Sequence, residues 1–282
     1  IIAGEVGLGG TGTWGDKVRG KQGLNPSEND IKYFQGITRN KLAMARDVYG
    51  YSPIVGSVSP VLDTSGREDQ FIESIHEGIY VPQMQEFREA NVKIVMGEAF
   101  RDAKTDALAV LKAMIKTDIK GPDAHLIVSF EPTRTNGMLP AEDISWKNAL
   151  DRLRQQSHGE VNIHFGLNCV GSKTIEEILR ALGEEASEVF TSTHPNAANT
   201  HPSCEISQRF SDLCAKGANR TQPEQEEFER IKTVMNSPAT DIGALAEQAF
   251  RIMPIFGVCC GATQAQYQAA VDAARKARKK AA

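Results

Sequence analysis

No window of the 282-residue chain reaches the ~18 uninterrupted apolar residues that a membrane-spanning helix needs. The opening Ile1-Ile2-Ala3-Gly4-Glu5 has no basic segment followed by a long apolar one, and does not read as a signal peptide. With Ile in place of Met at position 1, the chain reads as a processed or incomplete form. A large excess of one sign of charge is also lacking. A net charge of −4 leaves no electrostatic footprint for nucleic acid. The one basic run, Arg275 to Lys280, suits the C-terminal end of a helix, where the dipole favours cations. The glycines from Gly7 to Gly12 are not followed by the Lys-Ser/Thr of a phosphate loop and read as a flexible connection. Trp14 and Trp146 stand too far apart in the chain to suggest an aromatic cage. No repeat and no Ser/Gly- or Pro-rich linker divides the sequence, so residues 1–282 are expected to form one domain. Cysteine is sparse: five, an odd number, with two adjacent. That usage fits a reducing compartment, and the cytoplasm is expected.

What is present is a rhythm. Short runs rich in Ile, Val or Phe fall at 52–58, 92–98, 124–130, 162–169, 188–194 and 252–259, each about the length of a strand. Between and after them lie helical patterns at 67–90, 102–118, 141–157, 172–183, 205–215 with 223–235, 240–251 and 263–280. Ile175, Ile178, Leu179 and Leu182 make one apolar helical face, and Thr240-Asp241 is a helix-start signal. Strict βα rotation implies an α/β fold with a parallel sheet and right-handed crossovers. Residues 1–8 offer one more strand and 31–48 one more helix, which makes seven strands where a closed (β/α)8 TIM-type barrel has eight. Either one strand goes unmarked in the sequence, or the first βα unit is absent. Two strand edges would then need cover from a second copy of the chain (a homo-oligomer), the last helix or a loop. The segment 195–223 is the least regular and reads as a long loop with a short helix.

The chemistry is expected at the carboxyl ends of strands, where parallel barrels carry their active sites. Cys169 ends the run Asn162 to Cys169, and Cys259 and Cys260 end the run from Ile255. A lone Cys169 would read as an inert core residue, because free cysteine behaves as a small hydrophobe. Adjacent strand residues point to opposite faces, so the Cys259-Cys260 pair can converge only where the strand ends and turns, which Gly261 permits. Three thiolates around one point make a zinc site with one position open, the mark of catalytic zinc. His164 reads as a core residue; His194 and His201, flanking the irregular loop, read as solvent-exposed. Cys204 and Cys214 read as structural or exposed.

Gly166-Leu167-Asn168-Cys169 and Gly257-Val258-Cys259-Cys260-Gly261 resemble the G-[IL]-N-C and G-G-C-C-G-T motifs of the homocysteine S-methyltransferase family. Val55-Gly56-Ser57-Val58-Ser59-Pro60, Lys93 to Glu98, Val128-Ser129-Phe130 and Pro195-Asn196-Ala197 resemble further motifs of that family, in the same order. The departures are Val258 for Gly, Ala262 for Thr and Ser59 for Gly, and no clean D-G-[GA]-M-G-T first motif is found.

The resemblance implies zinc on Cys169, Cys259 and Cys260, with the metal activating a thiol substrate. It implies Glu98 as the partner of the substrate's α-ammonium, with Asn168 and Asn196 as further binding residues. The alternative for Glu98 is a structural pairing, for example with Arg101. The implied reaction moves a methyl group to homocysteine or a similar thiol from a sulfonium, ammonium or methyl-corrinoid donor. The implied partners are the small-molecule thiol, the methyl donor and, for a corrinoid route, a corrinoid protein. Two other readings stay open: a corrinoid-linked methyltransferase module and a non-catalytic zinc- or thiol-binding protein. The strand before His194 is expected between the strands that end near Cys169 and Cys259, and all three thiols at the same barrel end as Glu98.

Overall fold

The structure, a computed structural model, describes residues 27–49, 54–58, 76–100, 102–132, 138–139, 143–168, 170–195, 209, 212–235, 239–253, 255–257 and 263–281. By its contacts the chain divides into two compact units: Ile1–Phe130 with Leu139–Phe165, and Glu131–Met138 with Gly166–Ala282.

In the first unit, α1 (Glu28–Tyr49) starts with a reciprocal cap: the Ser27 hydroxyl donates to Asp30 Oδ2 at 2.7 Å and accepts from the Asp30 N–H at 3.2 Å. Strand β1 (Val55–Val58) is followed, after a π-helical turn at His76–Tyr80, by α2 (Val81–Glu89). Then come β2 (Ile94–Phe100), α3 (Asp106–Lys116) and β3 (His125–Phe130). Short β4 (Met138–Leu139), whose first residue is assigned to the second unit, and β5 (Ile144–Ser145) lead to α4 (Trp146–Ser157). Strand β6 (Asn162–Asn168) closes the unit with its first residues and opens the second with its last.

The strand order in this unit is β1-β2-β3-β6. Val55 pairs with Ile94 and Ile94 with His125, both in parallel ladders. All four β1 residues are buried, as expected of a strand covered on both faces. In α3 the buried residues Ala107, Val110, Leu111 and Met114 keep the i, i+3, i+4, i+7 spacing of a helix on a core. Arg39 of α1 reaches α2 with a forked pair of bonds to the buried Glu86 carboxylate, at 2.9 and 2.7 Å. The expected helix at 141–157 starts only at Trp146, because the Ser145 hydroxyl accepts from the Asn148 N–H and caps it there.

Gly56 shows how closely α2 seats. A Cβ at that position would stand 2.6 Å from the Phe87 ring, and Phe87 is fully buried. Gly56→Ala should therefore cost about 2 kcal/mol through overpacking, read as a lowered urea midpoint with an unchanged slope. An unaltered midpoint would show that the ring can step aside.

The second unit continues from β6 with α5 (Ser172–Leu182), the short α6 (Ala186–Val189) and β7 (Phe190–His194). Helical residues 212–216 precede α7 (Gln222–Met235), and α8 (Ala239–Ala249), β8 (Ile255–Phe256) and α9 (Gln264–Ala281) follow. The strand order here is β6-β7-β8, so β7 does lie between the other two. Ser192 pairs with Ile255 and Thr193 with Phe256 in parallel, and the Gly257 N–H donates to the Thr193 carbonyl at 3.0 Å. Ile175, Ile178 and Leu179 of α5 are buried as their spacing predicts. Ile242, Ala246, Ala270 and Ala273 form a cluster between α8 and α9, with Phe250 and Phe256 packed on it. Leu213, Ile231 and Phe228 form a smaller one, and the Arg220 guanidinium lies 3.8 Å over the Phe228 ring.

Each of the six apolar runs overlaps one of these strands, and β2 extends two residues past its run, to Phe100. The class is α/β with parallel pairing, as expected. The strand expected over residues 1–8, and with it barrel closure, lies outside the described residues. Among the described residues no helix is long and apolar enough to cross a membrane.

Candidate functional site

Glu98 is placed by a β-bulge. Gly97 of β2 pairs with Val128 of β3, and the next pair is Phe100 with Phe130. Two residues, Glu98 and Ala99, thus stand opposite one, Ser129. Bulges re-aim side chains and recur beside functional sites. Successive strand residues point to opposite faces. Phe130 meets Trp146 of α4 edge-on, with ring centroids 5.3 Å apart, so Ser129 faces away from α4. Glu98, next to the Gly97 that pairs with Val128, shares the Ser129 face. There it is half-buried, and the Ser57 hydroxyl of β1 donates to its Oε1 at 2.5 Å. Behind Ser57, the Gln83 side-chain amide of α2 donates to the Ser57 carbonyl at 3.4 Å. Ser129 is fully buried, and its hydroxyl has no hydrogen-bond partner among the described residues.

The pairing that sequence reasoning weighed for Glu98, with Arg101, falls on a residue outside those described. Ser57 was the partner it missed. The hydroxyl lies in the quoted Val55–Pro60 motif, but 41 residues separate it from Glu98, and nothing local joins them.

At the amino ends of β3 and β6, His125 Nδ1 and His164 Nε2 are 3.1 Å apart, one ring donating to the other, with centroids 5.3 Å apart. Burial first, then the His125 ring and the Arg154 guanidinium, holds the His164 imidazole down at about 4. Expected as a satisfied core residue, His164 is instead half-buried in β6, with another imidazole as its partner. An unfolded histidine takes up its proton near 6.5, and folded His164 only near 4. The ring's contribution to stability is therefore complete above pH 6.5 and is lost as pH falls towards 4. For a ring fully shut off from water the loss would be ~3 kcal/mol; with part of the ring in water, about 1 kcal/mol is expected. His164→Gln should flatten the fall in urea midpoint between pH 7 and pH 4.5. An equally steep fall in the variant would assign the acid sensitivity elsewhere.

In the second unit, Phe256 packs into the α8–α9 cluster, so its partner Thr193 shares that face, and Ser192 and His194 face away from it. His194 corrects the expectation of an exposed loop histidine. It is the last residue of β7 and is only 4% accessible, because it belongs to the strand and not to the loop that follows. Asn168 ends β6 and is buried. The Ser192 and Thr193 hydroxyls are buried without a hydrogen-bond partner among the described residues. Cys214 is a free, exposed cysteine.

Cys169, Cys259, Cys260 and Asn196 lie outside the described residues, as do His201 and Cys204. The structure describes the residues that carry the three thiols into the chain: Asn168 at the end of β6 directly precedes Cys169, and Gly257, bonded to β7, stands two residues before Cys259. Among the described residues no group of three His, Cys, Asp or Glu side chains could hold a metal ion. Glu98 belongs to the first unit and Asn168 to the second.

No curated protein matches the chain. A family model described as homocysteine S-methyltransferase matches residues 15–275, a span that takes in the Ser57–Glu98 pair, the ends of β6, β7 and β8, and all five cysteines. On that match over most of its length, the chain belongs to the homocysteine S-methyltransferase family.

Proposed function

We propose that this chain is a zinc-dependent methyltransferase whose acceptor is the thiol of homocysteine or a close analogue. The observation that carries the reading is the order β6-β7-β8 in a chain that belongs to this family, with Cys169 the next residue in sequence after β6 and Cys259 and Cys260 shortly after β8. Cys169, Cys259 and Cys260 are a soft donor set of the kind that suits zinc and leaves a fourth position for a substrate. Zinc held there would keep the acceptor sulfur as a thiolate at neutral pH.

The chain's own residues bind and orient. Glu98, half-buried beside Ser57, takes the acceptor's α-ammonium in a charge-assisted hydrogen bond. Asn168, buried at the strand end next to Cys169, orients the first thiol through its amide, and Asn196 contributes a further polar contact. The acceptor sulfur forms the new bond to the methyl carbon. The broken C–S or C–N bond leaves its electron pair on the departing sulfide or amine; with a methyl-corrinoid donor, the corrinoid keeps the pair. In this reading residues 1–282 form one homocysteine-binding barrel of the (β/α)8 type, at work in the cytoplasm, and a second copy is a candidate cover for open strand edges.

A donor screen with homocysteine on protein of known zinc content tests the proposal. Methionine formation from a sulfonium or an ammonium donor is the expected result. Turnover only with a methyl-corrinoid protein would favour the corrinoid-linked module. Full zinc with no homocysteine binding would favour a structural or storage site.

A further inference from the structure

We infer that Ser57 is a positioning residue for substrate recognition: its hydroxyl fixes the Glu98 carboxylate so that the two act on the acceptor's ammonium as one unit. The inference rests on the reading of Glu98 given above and extends it to a residue whose role is not to touch the substrate.

Glu98 needs such a fixture. It stands in a bulge, where two β2 residues oppose Ser129 and the ladder is locally broken. A glutamate side chain also has more rotamer freedom to lose than almost any other, so holding it in one pose costs entropy. Ser57 is the opposite case. It lies 5% exposed in a strand buried along its whole length, its carbonyl is held by Gln83, and its neighbour Gly56 is pinned against the Phe87 ring. The rigid strand therefore holds the mobile side chain, through a bond from Ser57 Oγ to Glu98 Oε1. A carboxylate offers about four lone-pair sites, so accepting from Ser57 is compatible with accepting from an ammonium.

A positioning role makes a pattern that a packing role does not. Dissociation constants of homocysteine and of 4-mercaptobutyrate, which keeps the thiol and carboxylate but lacks the amine, are to be measured on zinc-loaded protein. Ser57→Ala should weaken homocysteine about fivefold to tenfold, roughly the net worth of one ordinary intramolecular hydrogen bond. It should leave 4-mercaptobutyrate affinity and zinc content unchanged, and Ser57→Thr should restore homocysteine affinity. Adding Ser57→Ala to Glu98→Ala should weaken binding no further, since coupled residues are not additive. Equal weakening of both thiols by Ser57→Ala, or additivity in the double variant, would overturn the inference. So would unchanged homocysteine binding in Ser57→Ala while Glu98→Ala weakens it, an outcome that leaves the reading of Glu98 standing. If Glu98→Ala itself binds homocysteine as tightly as the parent, the reading of Glu98 falls and the inference with it.

Discussion

Cys259→Ala should purify with little or no zinc and lose at least about a thousandfold in thiol methylation, while its fold survives. The thiol at 259 is one of three donors assigned to the metal, and replacing it by a methyl group leaves two. The acceptor then depends on its own acidity. A free thiol has a pKa near ~8.5, so only about 3% is thiolate at pH 7, which alone costs about thirtyfold. Loss of a held sulfur supplies the rest, since well-oriented groups gain far more than that over free encounter. The fold is expected to survive because the described core is built elsewhere. Ile242, Ala246, Ala270 and Ala273 pack α8 on α9, and Phe130, Trp146 and Phe165 pack edge to face in the first unit. Elemental analysis of protein purified without added metal, circular dichroism and a methionine assay make the test. Full zinc in Cys259→Ala would end the shared-site proposal, and loss of folded structure would make the metal part of the fold.

The six strands of the parallel sheet were legible because each one carries its own signal; the two-residue β4 and β5 were not, and β5 lies inside the stretch read as helix. HLIVSF over His125–Phe130 and NIHFGLN over Asn162–Asn168 are apolar runs of strand length, and β3 and β6 lie there. The α5 stripe of Ile175, Ile178 and Leu179 was readable in the same way, since helical spacing is local information. What escaped was set by partners far off in the chain. The bulge at Glu98 has no residue pattern of its own; it follows from the register that β3 imposes on β2. The Ser57–Glu98 and His125–His164 pairs join residues 41 and 39 positions apart. His194 was misjudged for a related reason. Its neighbours downstream are polar and irregular, but its own backbone still belongs to β7, and strand membership decides its burial. Motif and strand-end position group the three thiols in the sequence; the thiols themselves lie outside the described residues, and the structure describes the strand ends that precede them.

Glu98→Ala should raise the homocysteine dissociation constant by about tenfold to a few hundredfold and leave zinc bound. A charge-assisted hydrogen bond is worth roughly 1.5–3 kcal/mol, which sets that range. The metal should stay because the assigned donors are thiols, and Glu98 accepts from a serine hydroxyl of β1. Because the ammonium is gripped alike before and during methyl transfer, the loss should appear in KM more than in kcat. Glu98→Gln separates charge from shape. An amide keeps an acceptor oxygen for Ser57 and for the ammonium but gives up the ionic part of the attraction, so its loss should fall between that of the parent and that of alanine. A thiol without an amine should not distinguish the three proteins. Two results would contradict the assignment: zinc lost from Glu98→Ala, which would make the carboxylate part of the metal's surroundings, or a fall in kcat with KM unchanged, which would place it at the reacting atoms and not at the ammonium.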